Sequence, residues 1–315
     1  MLAVLGALFA NGIITILKFI AAVMTGSSGM MAESLHSLAD TTNQVFLLLG
    51  LRFYKRPASE KHPFGYGKER FFWSFIAAIF IFGVGATYAL YEGFQKLTHP
   101  HPPQNLSVAY WVLGISLVLE LGSIGLAIYQ EVNEAHHEGM TFMQYLRESK
   151  DPTAKTVLFE DTAALLGIII AWIGLYLTER HAGPGGGAYW DGLASMVIGV
   201  ILAIVAFSLA RSSRGLLLGE AATKKSVEKI RQAISGHPNV VEVVELLTMH
   251  LAPKQILICA HINLRNNMNT DEIEQTNQEI EALIKQAEPK VDMIFLESAR
   301  ESESDLKHAI PEHIG

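Results

Sequence analysis

The chain has 315 residues, half of them hydrophobic and only 17% charged, with a mean hydropathy of +0.27. That composition excludes a single water-soluble globule and suits a membrane protein with a soluble appendage. The net charge of −7 and the absence of a basic motif argue against nucleic acid, and a single cysteine, Cys259, excludes an intramolecular disulfide framework or a cysteine-held zinc or iron–sulfur cluster.

In chain order, six stretches reach the roughly 20 apolar residues that a bilayer span needs. They cover about Leu2–Met24, Met30–Phe53, Phe71–Gln95, Ser107–Tyr129, Val157–Leu177 and Tyr189–Leu209. The start of the chain runs straight into the first of these, without a cleavage signature or the Arg/Ser-rich composition of a transit peptide. Spans two and five are the least purely apolar, which marks them as the functional helices.

Between spans two and three lies "YKRPASEKHPFGYGKER", with Lys55, Arg56, Lys61, Lys68 and Arg70. Arg147, Lys150 and Lys155 separate spans four and five, and Arg211, Arg214, Lys224 and Lys225 follow span six. The opposite loops, "TGSSG", "KLTHPHPPQNLS" and "TERHAGPGGGA", hold at most one Lys or Arg each. The positive-inside rule then puts both termini on the cytoplasmic side of a multi-pass protein. A bacterial inner membrane is the expected setting, with a mitochondrial membrane as the alternative.

Beyond span six the pattern changes. "KKSVEKIRQAIS" reads as an amphipathic helix, "GHPN" as a turn, and "VVEVVELLTMHL" and "QILICAHINL" as strands around "APK". "TDEIEQTNQEIEALIKQAE" reads as a helix with Thr270 as N-cap, and "VDMIFLESA" as a third strand. The expected fold is therefore six transmembrane helices over residues 1–212, followed by an αββαβ, ferredoxin-like α+β domain over residues 213–315.

The costly residues sit in "AESLHSLADTTNQ". His36 and Asp40, four apart, lie one turn apart on one helix face, which Glu33 and Asn43 broaden. Span five opens "KTVLFEDTAALLG", with Glu160 and Asp161 just inside the bilayer, and Glu120 stands alone in the middle of span four. A single membrane histidine is more often a helix–helix hydrogen-bonding group than a ligand, and Glu120 could be no more than a partner for Lys18 in span one. Polar clusters on two apolar helices, each penalised by the membrane, point instead to a cation site. A mixed nitrogen/oxygen set suits zinc, and more oxygens would suit manganese or iron.

"HSLAD", "HPFGYGKER", the early aspartate of span five and the αββαβ tail together resemble the cation diffusion facilitator family, over essentially the whole chain. "VLFEDTAALLG" and "EPKVDMIFLESAR" are most similar to the branch that includes the ninth mammalian zinc transporter and its bacterial relatives. Gly65, Gly67, Lys68 and Glu69 match a family loop in register. The resemblance implies a homodimeric, proton-coupled exporter of divalent cations. Zinc is the expected cargo, manganese, iron, cobalt and cadmium are alternatives, and protons are the counter-ion. It also implies that no reaction is catalysed; a membrane hydrolase would need a motif such as HExxH, which is absent. A sensor or scaffold working through the tail is the remaining alternative.

Residue by residue, the resemblance implies metal ligands at His36, Asp40 and Asp161. The fourth family position falls on Val157, which cannot coordinate; water, Glu160, Asn43 or Glu120 could complete the set. A loop site with two histidines keeps only His62, because the second position is Tyr66. In the tail, His261 and Glu297 resemble metal positions of some relatives, but other ligand positions there are apolar, so dimerisation is the expected role. Strands joined around Pro253 would pair residue 250 with roughly 257, so His250 and His261 should not face each other. His237 matches a turn pattern, and His99, His101, His136 and His137 read as solvated loop residues.

Adding an imidazole one turn before Asp161 should complete a four-ligand site. Val157→His is therefore expected to favour zinc over manganese in a transport panel; an unchanged preference would mean that span five is registered differently.

Overall fold

The computed structural model describes residues 2–137, 139–148, 152–181 and 187–298. Lys150, residues 182–186 of one distal loop, and Ala299, expected to end the third strand, lie outside these. The side chains of Arg147, Lys155 and Val157 also lie outside the description. The chain divides into two compact units, Met1–Leu217 and Leu218–Gly315.

The first unit is helical: α1 (Leu2–Thr25), α2 (Ser28–Tyr54), α3 (Glu69–Phe80), α4 (Thr87–Thr98), α5 (Leu106–His137), the short α6 (Phe142–Glu148), α7 (Pro152–Arg180) and α8 (Ala188–Leu218). Among the described residues, Glu69–Thr98, Leu106–His137, Leu158–Arg180 and Ala188–Leu218 are long and apolar enough to cross a membrane, and Asn11–Thr25 is a shorter apolar stretch. The 27 residues of α2 give a rod of ~40 Å at ~1.5 Å per residue, but its polar residues keep it out of that apolar set. It is the hub nonetheless, packing on α1, α3, α4 and α7. The surrounding core is rich in small residues, with Ala21, Ala22, Ala32, Ala86, Ala89, Ala109 and Ala171 buried, which lets helices approach closely without a hydrophobic driving force.

Three details depart from the sequence reading. Span three is not one α-helix: a π-helical segment, Ile81–Ala86, separates α3 from α4. Gly83 and Gly85 weaken the α-helical preference there, and Thr87 Oγ1 donates to the Phe82 carbonyl at 3.0 Å. Helix α5 runs two turns past Tyr129, so His136 and His137 are exposed residues of its last turn and not of a loop. Helix α8 continues through "RSSRG" to Leu218, which puts the boundary between the units at Leu217/Leu218.

At the distal end, Gly26 (φ +60) ends α1 in the left-handed conformation that glycine tolerates best. Ser27 then caps α2, its Oγ accepting from Met30 N at 3.1 Å. Asp191, in the first turn of α8, reaches the same end of α2. It accepts from Ser27 Oγ (2.7 Å), Ser28 N (2.7 Å) and Gly29 N (3.1 Å), and pairs with Lys96 Nζ of α4 at 3.5 Å. Lys96 Nζ also donates to the Gly26 carbonyl. Both partners are wholly buried. The contact needs α4 and α8 to touch backbone to backbone at Gly93 and Gly192, where a Cβ on Gly93 would strike the Gly192 carbonyl and Met196.

The second unit is α9 (Lys224–Ser235), β1 (Val240–Ala252), β2 (Gln255–Leu264), α10 (Thr270–Ala287) and β3 (Val291–Ser298). The strands order β1-β2-β3, the first pair antiparallel and the second parallel. The expected αββαβ α+β arrangement is present. Ile230, Ile234, Ile280 and Ile284 of the helices pack on Ile256, Ile258, Ala260 and Ile262 of β2. The N-cap of α10 is Asn269, not Thr270: Asn269 Oδ1 accepts from Glu272 N at 2.9 Å, and Glu272 Oε2 accepts from Asn269 N at 2.8 Å. That reciprocal box satisfies two amide donors, which a cap placed one residue later would leave to water. His237 bridges to α10, its Nε2 lying 2.9 Å from Glu279 Oε2.

Two expectations follow. Lys96→Met should cost about 3–5 kcal/mol in denaturation of the detergent-solubilised protein, because it strands a buried carboxylate. Asp191→Asn in the same background should recover part of that loss. In the tail, the His237 hydrogen bond, with a second from Gln275, holds the Glu279 carboxyl below its ordinary value. Its contribution is then complete above the ordinary carboxylate pKa and is lost as pH falls through the lowered one. The stability gap between native protein and Glu279→Gln should be full at neutral pH and close in acid.

Candidate cation site

The expected residues gather where α2 meets α7 and α5. Helix α2 brings Glu33, His36, Asp40 and Asn43 to one side, all buried except Asp40, whose side chain is 19% exposed. His36 Nε2 lies 3.4 Å from Asp40 Oδ2, the contact expected of residues four apart.

The two acids of α7 diverge, because consecutive helical residues point about 100° apart. Glu160 is buried and turns to α2, where the Asn43 amide donates to both of its oxygens at 2.7 and 2.6 Å. Asp161 turns to α5 and accepts from Ser123 Oγ at 2.9 Å. Glu120, half-buried on α5, lies within electrostatic range of Asp40, Asp161, Glu33 and Lys18. Lys18 itself pairs with Glu33, Nζ to Oε2 at 3.2 Å, and not with Glu120; both members are fully buried.

The atoms left over are the informative ones. Among the described residues, neither ring nitrogen of His36 has a hydrogen-bond partner, nor do Asp40 Oδ1, Asn43 Oδ1 or Glu33 Oε1. Buried polar atoms are normally paired, and a cluster of exceptions needs a reason. Imidazole nitrogen and carboxylate oxygen that accept nothing are donor atoms for a cation. No three His, Cys, Asp or Glu side chains among the described residues converge tightly enough to cage an ion. Asp161, held on Ser123, stands apart from the His36–Asp40 pair.

Elsewhere, the His62 backbone exchanges hydrogen bonds with Ser59 (3.0 and 3.1 Å), and its ring lies 4.5 Å from that of Tyr66, so it organises the loop after α2. In the tail His250 pairs across the ladder with Ile256, and His261 with Glu245 and Glu297, so the two histidines are not opposed. His99 and His101 are exposed, with His101 Nδ1 2.8 Å from the His99 carbonyl. The sequence reading missed Ser123, which carries no signal of its own, and the Lys96–Asp191 pair. Charged residues near the ends of two apolar spans could have revealed that pair.

Comparison with known proteins agrees with this architecture. Residues 4–218 match the cation efflux transmembrane domain, and residues 222–296 match the cytoplasmic domain of cation efflux proteins, a dimerisation domain. The proton-coupled zinc antiporter SLC30A9, mitochondrial, of Mus musculus is 31% identical over 325 aligned residues, 98% of this chain and 56% of that protein. Metal tolerance protein C4 of Arabidopsis thaliana is 33% identical over 266, covering 84% and 57%. The cation-efflux pump FieF of Shewanella oneidensis is 25% identical over 256, covering 81% and 79%. The chain thus spans little more than half the length of the first two relatives. With both units matched in order over residues 4–218 and 222–296, the chain belongs to the cation efflux (cation diffusion facilitator) family of multi-pass membrane transporters, which are not enzymes.

Proposed function

We propose that this chain exports divalent cations, zinc foremost, from the side bearing its tail in exchange for protons, working by alternating access as a homodimer in a bacterial inner membrane. The observation that carries the reading is the set of unpartnered donor atoms on His36 and Asp40, buried on α2 and facing α7. The cargo binds His36 and Asp40 first. Asp161 then leaves Ser123 and closes the site from α7, with water or Glu160 filling the place that Val157 does not. Each ligand must be deprotonated to hold metal, so protons arriving from the far side compete the ion off. An imidazole, with an unperturbed pKa near 6.5, suits that exchange. The names of the SLC30A9 relatives support zinc and protons. The single imidazole among oxygen donors keeps manganese and iron in the test.

The test is flux of zinc, manganese, iron, cobalt and cadmium into sealed proteoliposomes under an imposed pH gradient, with no organic substrate present. Gradient-dependent zinc flux is expected from the native protein. Asp40→Ala and Asp161→Asn should fall to the level of empty liposomes while keeping the native oligomeric state. Native flux in a folded Asp40→Ala protein would remove the site assignment.

A further inference from the structure

Lys18 is, with Lys96, one of the lysines fully buried among the described residues of the bundle, and a charged group is among the costliest to put there. It sits on α1, and among the described residues its ammonium donates to one oxygen of Glu33, at 3.2 Å. Glu33 is one turn before His36 on the same face of α2. Its other oxygen, Oε1, has no hydrogen-bond partner among the described residues and points at Gly167 of α7, where a Cβ would collide with it. The Glu33 carboxylate therefore lies in the α2–α7 interface that holds the His36–Asp40 pair and Glu160. It is a hard oxygen donor at the edge of a site for cations, tied back by a cation the protein supplies itself. The field of Lys18 also reaches His36, Asp40 and Glu120.

We propose that Lys18 is a specificity-determining residue: it withholds Glu33 from the cargo's ligand set and lends the site a fixed positive charge. Both effects act in one direction. Without Lys18 the site gains a carboxylate ligand and loses a repelling charge. Divalent ions should then bind more tightly, and oxygen-preferring manganese should gain more than zinc. Binding that is too tight defeats a carrier, because the ion must leave on the far side. Lys18 thus keeps affinity low enough for release and the donor set balanced toward nitrogen. The pair is also a poor candidate for a purely stabilising bridge, since a buried ion pair is often no more stable than apolar residues of the same size.

This rests on His36, Asp40 and Asp161 being the cargo site, and the experiment separates the two. Zinc and manganese binding to the purified full-length protein is measured at equilibrium alongside proteoliposome flux. Lys18→Met should tighten both metals, by about tenfold or more given the loss of one nearby unit charge. Its manganese-to-zinc affinity ratio should rise and its saturated flux should fall. Lys18→Arg, which keeps the charge, should restore the native ratio, and Lys18→Met with Glu33→Gln should return the ratio to native. Should Lys18→Met not fold, Glu33→Gln alone decides: its manganese-to-zinc ratio should stay native, since the native protein does not use Glu33 as a ligand. A folded Lys18→Met protein with native affinities overturns the proposal, as does a changed ratio in Glu33→Gln. Undiminished binding in Asp40→Ala would instead sink the site reading itself.

Discussion

A carboxylate shut inside a bundle that faces hydrocarbon must meet a donor, and the transmembrane unit is organised around meeting that demand. Asp191 collects two backbone amides, a serine hydroxyl and Lys96; Glu33 takes Lys18; Glu160 takes the Asn43 amide; Asp161 takes Ser123. Each pairing joins different helices, so satisfying the charges also fixes which helices are neighbours. In lipid, where apolar contact gives helices little reason to prefer one another, such polar links and close small-residue packing carry the specificity. The Asp191 contact is the most connected, because it starts α2 and ties α8 and α4 to the same turn.

The same rule shows where the pairing stops. His36 and Asp40 hold donor atoms that nothing among the described residues satisfies, on the helix that contacts most of the others. Leaving the His36 ring nitrogens without a hydrogen bond, with Asp40 alone beside them at 3.4 Å, makes sense if the partner is a cation that comes and goes. The divergence of Glu160 and Asp161 fits that account: one acid stays with α2, and the other can exchange Ser123 for a ligand role without breaking an ion pair.

The tail obeys water-side rules instead. Its helices bury isoleucines against the central strand, its caps are side chains hydrogen-bonded to backbone amides, and its His237–Glu279 link runs from a buried imidazole to an exposed carboxylate. Its third strand joins in parallel, next to β2, as the βαβ crossover through α10 requires.

The sequence by itself determined the six rods, the αββαβ tail and the helix carrying the costly residues, because hydrophobic runs and 3.6- or 2-residue periods are local properties. It also placed His36 and Asp40 on one face, since four residues along one helix need no tertiary knowledge. Only the tertiary structure decided who answers each charge. Lys18 could have met Glu120 or Glu33, and the choice between helices α5 and α2 is set by packing, not by spacing. The partner of Asp161 was hidden because a serine on another apolar span looks like any other small residue. At Asp191 the charged residues near two span ends hinted at the Lys96 pair, but the two backbone amides and the Ser27 hydroxyl that complete the clasp reach it only once α2, α4 and α8 come together there. The shift of the tail's cap from Thr270 to Asn269 has a local cause: both residues can cap, and the Glu272 that closes the box lies three residues after the first of them. The π-helical segment in span three was not legible either: its glycines permit a widened turn without requiring one.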